Sequence, residues 1–190
     1  MAKANLRRFD WEKVAHLDAQ MWRSYYNHRF FKMFLQLIQL MRTQLRTNWV
    51  ATLKLAYYAA AAATDYRLKK GRENYQKTLK NLTKFYKAIS DNCTEPFDYK
   101  KAAELELEWW DIHRYPEKYK KTLEASLAES AAAIYNVPAS GLKTYAKYRA
   151  AAMMLPNHEG DWQENPPDWN EVERLLIISW RSGYKVIQAK

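Results

Sequence analysis

The chain has 190 residues, 48% of them hydrophobic, with 4 glycines, 6 prolines, one cysteine and a formal net charge of +10. A chain of this size and composition buries a full core without metals or disulfides, so it reads as one globular domain, 1–190, rather than a disordered segment. The lone Cys93 excludes a disulfide framework and a thiolate metal site, and points to a reducing, cytoplasmic setting.

Few turn residues and helix-forming runs such as Ala59 to Ala63 predict an all-α bundle of about six or seven helices. The first helix is expected from about Trp11 to Leu45, with Asp10 as its N-cap and Asn27 as the place where it would break. The second runs from about Asn48 to Leu68, stopping by Gly71, and the third from about Glu73 to Ser90. Asp91 to Pro96 has the Asn, Asp and Pro of a loop. A fourth helix, Asp98 to Arg114, ends before Pro116, a fifth covers Glu117 to Tyr135, and Asn136-Val137-Pro138 breaks the chain. The sixth runs from Ala139 to Leu155, the stretch Pro156 to Pro167 is the longest loop, and a last helix spans Trp169 to Ile187. The longest apolar stretch, Trp49 to Ala63, is interrupted by Lys54 and too short for a membrane span, and no signal-peptide core follows Met1.

The familiar catalytic signatures are missing. There is no glycine-rich phosphate loop, no His-Glu-x-x-His, no Glu-x-x-His and no Gly-x-Ser-x-Gly. The histidines, His16, His28, His113 and His158, fall in four separate segments. This argues against P-loop, zinc and serine-hydrolase chemistry, leaves enzymatic activity and any cofactor undetermined, and gives no metal site.

Polar residues on apolar helix faces are the informative ones, because burying them unpaired is costly. On helical wheels Trp22, Tyr26, Met33, Leu37 and Leu40 share a face that has Arg29 in its middle and Asp18 near its edge. In the fourth helix Leu105, Trp109 and Ile112 point inward and Glu104, Glu108 and Asp111 to solvent, while Glu106 and His113 share a direction between Trp109 and Trp110. Arg149 lies on the face of Leu142, Tyr145 and Ala152; in the last helix Val172, Leu176, Ser179 and Gly183 line up, flanked by Trp180. Small residues in that line allow close helix approach or an open cavity.

Asp18, Arg29, Glu106, His113 and Arg149 are therefore expected to converge, with Trp22, Tyr26, Trp109 and Trp110 as walls. As a site, they would bind a small anionic or polar ligand in an internal pocket, the arginines gripping a carboxylate or phosphate and Glu106 and His113 serving as acid or base. As structure, they would be buried Arg–carboxylate pairs that fix helix register. Either way Glu106 should have Arg29 or Arg149 within salt-bridge distance.

Two other classes of function stay open. Residues 1–100 carry 19 Lys and Arg against 8 Asp and Glu, whereas 101–190 carry 12 against 13. The basic N-terminal half, with interleavings such as Lys84-Phe85-Tyr86-Lys87, would suit a nucleic-acid-binding module. The remaining alternative is a structural or protein-interaction scaffold with no small-molecule site.

Overall fold

The computed structural model describes residues 3–45, 47, 49–68, 72–157 and 167–189. Among these are eight α-helices and no strand: α1 (Trp11–Tyr26), α2 (Phe30–Leu45), α3 (Trp49–Leu68), α4 (Arg72–Asn92), α5 (Tyr99–Arg114), α6 (Leu123–Tyr135), α7 (Lys143–Met154) and α8 (Trp169–Gln188). The all-α expectation holds, and the count rises to eight because the expected first helix is two. At its break the Asn27 amide bonds back to Arg23, His28 turns left-handed at φ 55°, and Arg29 N–H reaches the Ser24 carbonyl before α2 starts afresh.

Sequence chemistry sets the other boundaries. The side chains of Asp10, Thr122, Asp98 and Asp168 each accept amide hydrogens of the first turn they precede. Asn136 closes α6 in the left-handed conformation at φ 54°, which Asn tolerates well. Short 3-10 turns at Pro116–Lys118 and Ala139–Leu142 occupy the starts expected for the fifth and sixth helices. Helix α4 continues to Asn92, so Asp91 is helical rather than part of the loop. His158, Gly160 and Pro166 of the expected long loop lie outside the described residues.

Each helix packs on the next in chain order, and α8 returns to pack on α1, so the contacts close a ring. The N-terminal arm crosses the seam. Ala4 exchanges backbone hydrogen bonds with Asn92 and Thr94, and Arg7 binds the Glu95 carboxylate and donates to the Ile187 carbonyl at 3.0 Å. The main core runs from Val14 and Ala15 through Leu55, Leu107 and Leu142 to Ile187, and a smaller cluster joins Ala19 and Ala152 to Val172 and Leu176. The small-residue line of α8 gives close approach, not a cavity. Ser179 donates to the Tyr145 carbonyl at 2.8 Å, and a Cβ on Gly183 would sit 2.8 Å from Cδ2 of Tyr145.

Candidate functional site

The closing helices α1, α7 and α8 meet at Asp18. It lies one turn beyond Val14 on the inward face of α1 and is 1% exposed, far more buried than a position at the edge of that face implies. Its Oδ2 takes a 2.6 Å hydrogen bond from Nη1 of Arg149 on α7 and a 2.9 Å bond from the indole of Trp180 on α8. The guanidinium of Arg149 lies 5.3 Å from the Trp22 ring, 5.6 Å from Trp180 and 6.0 Å from Tyr145. Burial alone disfavours its charge, but Asp18 overrides this and pushes Arg149 further up, so it stays a cation inside an aromatic cage.

Glu106 on α5 organises a second cluster with neutral donors. Trp109 Nε1 donates to it at 2.8 Å, Trp110 Nε1 at 3.1 Å and the Tyr86 hydroxyl, from α4, at 3.0 Å. The hydroxyl of Ser130 on α6 stands 3.4 Å away. Burial, and then the neighbouring Glu106 charge, hold Tyr86 well above its ordinary value, so it remains a protonated donor. The expected arginine partner is not there: the carboxylate sits between two indoles at i+3 and i+4, and those N–H groups reach it first. Arg149 feels the Glu106 charge only at longer range, and Tyr145 feels both Asp18 and Glu106.

The remaining expected members do not join. Arg29 is exposed, because the break at Asn27–Arg29 resets the helical phase that a continuous wheel carried through it. Tyr26 packs on Tyr25 and Trp169, and burial, with Tyr25 beside it, raises its hydroxyl to about 12. His113 is half-buried against α7, hydrogen-bonded to the Met153 backbone, with Nε2 lacking a partner among the described residues. Burial is the main cause that lowers its pKa. Asp111 and Glu108 are not in free solvent either: Asp111 accepts from Tyr66 and Tyr119 at 2.8 and 3.2 Å, and Glu108 pairs with Lys121 at 2.8 Å.

Trp180, Tyr86 and Ser130 are the partners that sequence reasoning missed. Trp180 flanks the small-residue line, but nothing local ties it to Asp18, and the other two come from α4 and α6, the helices before and after α5. Two open surface grooves lie elsewhere, one lined by Asp10, Glu12, Lys13, His16, Leu17 and Gln20 and the other between α3 and α4. Neither touches Glu106 or Arg149. Among the described residues no group of three or more His, Cys, Asp or Glu is arranged to hold a metal ion. No family model, curated protein or solved structure matches this chain.

Proposed function

We propose that the protein is an interaction scaffold, and that its inward polar residues fasten helices rather than bind a small ligand. One observation carries this reading: both inward carboxylates already accept from several protein donors, Asp18 from Arg149 and Trp180, and Glu106 from Tyr86, Trp109 and Trp110. A site prepared for an anion would leave its arginine donors aimed at open space, whereas Arg149 is spent on Asp18. The first cluster joins α1 to α7 and α8 from the other end of the chain, and the second joins α5 to its neighbours α4 and α6. The partner is then engaged by the outer surface.

The internal-pocket reading keeps in its favour the Nε2 of His113 beside α7, which has no partner among the described residues. Thermal melts with and without millimolar phosphate, acetate and citrate separate the two. The scaffold reading expects an unchanged midpoint. A midpoint that rises with anion concentration, and no longer does so in Arg149→Met, establishes the pocket instead, because a ligand that binds only the folded state stabilises it by mass action.

A further inference from the structure

The apolar side chains left outside the ring are concentrated on α2 and α3. Phe31 is 78% exposed, Val50 79%, Trp49 61% and Tyr57 64%, with Leu35 and Leu53 close to half exposed. Val50, Leu53 and Tyr57 follow one another at helical spacing, and Phe31 and Leu35 are one turn apart. From Trp49 to Thr64, helix α3 has Lys54 as its one charged residue, so much of its surface is apolar. Contacts between α2 and α3 bridge the two stripes at both ends: Arg42 lies 3.9 Å over the Trp49 ring, and Arg67 lies 5.2 Å over the Phe30 ring. The exposed residues therefore belong to one helical hairpin, α2 paired with α3, rather than being scattered singly over the molecule.

Charge defines what covers it. From residue 19 to residue 64 the chain has no Asp or Glu at all, and six basic residues: Arg23, Arg29, Lys32, Arg42, Arg46 and Lys54. Lys54, beside the α3 stripe, also lines the groove between α3 and α4 with Lys84 and Lys87, and Asp91 in that groove is paired with Lys87 at 2.7 Å. Nη1 of Arg42 is buried without a hydrogen-bond acceptor among the described residues.

We propose that this face docks on an anionic lipid bilayer surface, with Phe31, Trp49, Val50 and Leu53 entering the headgroup–acyl boundary and Lys32 and Lys54 meeting lipid phosphates. The proposal names the partner of the scaffold and rests on that reading. The pairing of exposed aliphatic and aromatic side chains with the exposed Lys32 and Lys54, on a stretch that has no Asp or Glu from 19 to 64, is the chemistry of interfacial membrane binding. A second copy of the chain, face to face, would set Lys32 and Lys54 against like charges. Nucleic acid supplies phosphates and stacking, but has no use for projecting Val and Leu. An acidic amphipathic helix needs a concave groove, whereas the most exposed residues here project outward. Among the described residues no helix is long and apolar enough to cross a membrane, so the contact is a surface one.

The test is flotation of the full chain with vesicles of phosphatidylcholine alone or mixed equally with phosphatidylglycerol. The expected result is recovery with the mixed vesicles only, weakening as salt is raised. Phe31→Ser/Val50→Ser/Leu53→Ser should lower recovery about tenfold or more at unchanged helicity and melting point, since the three side chains already face solvent. Lys32→Gln/Lys54→Gln should lower it as well and flatten the salt dependence; this pair serves as the measure if the triple variant loses helicity. No flotation at low salt overturns the lipid partner alone and leaves the scaffold. Anion-dependent melting without flotation overturns both. Equal loss of vesicle and oligonucleotide binding in the lysine variant, with the serine variant unaffected, assigns the face to nucleic acid. Dimerisation that the serine variant abolishes, without flotation, assigns it to a second copy.

Discussion

Asp18 and Arg149, 131 residues apart in the chain, meet at 2.6 Å with side chains only 2% and 15% exposed. Their meeting joins α1 to α7 where the ring of helices closes, and Trp180 brings α8 to the same oxygen. Desolvating such a pair is expensive, so its net contribution to stability is small; losing one partner is what costs, because the other is left charged and buried. The same logic runs through Glu106, whose charge is met by dipolar donors instead of a cation.

Glu106→Gln should lower stability by about 1.5–3 kcal/mol, the range for a lost charge-assisted hydrogen bond, since the amide nitrogen cannot accept from an indole. Urea unfolding followed by far-ultraviolet circular dichroism measures this. Tryptophan emission of the folded variant should shift as well, because Trp109 and Trp110 both donate to this carboxylate.

Gly183→Ala should destabilise, against the usual gain of roughly 1 kcal/mol for removing glycine from a helix interior. Its Cβ would come 2.8 Å from Cδ2 and 3.2 Å from Cγ of Tyr145. That ring is buried and already packed edge-on against Trp180, 5.6 Å between centroids, so overpacking of about 1–3 kcal/mol is expected. A raised melting temperature would show that α7 and α8 can separate at little cost.

His113 should make the fold less stable on acidification. Burial holds its pKa below the ordinary 6.5, so the unfolded chain takes up the proton first as pH falls. Stability is therefore complete above about 6.5 and is lost downward until the folded pKa is passed. Melts across that range should show a shallower decline for His113→Gln, which can still donate to the Met153 carbonyl and does not titrate. Equal slopes for both proteins would contradict this.

The helical class, most boundaries and the inward direction of Glu106 and Arg149 could be read from the sequence, because caps and periodicity are local. The two indoles beside Glu106 were legible for the same reason, at i+3 and i+4. Arg29 was misplaced because it lies in the three-residue break Asn27–Arg29, where the helical phase carried forward from α1 no longer applies. The partners of Asp18 and Glu106 were not legible: Trp180, Tyr86 and Ser130 are chosen by which helices become neighbours, and a wheel gives directions without neighbours. Glu108 and Asp111 looked like solvent residues because the Lys121, Tyr66 and Tyr119 that cover them come from other segments.

The most direct test of the fastening role is a double-mutant comparison of Asp18→Leu, Arg149→Met and the two together, followed by urea unfolding. The account predicts that each single change costs about 3–5 kcal/mol and that the double variant regains most of it, because no uncompensated charge stays buried. Singles that leave stability unchanged or raise it would contradict the account, since that is the behaviour of residues kept for a ligand rather than for the fold.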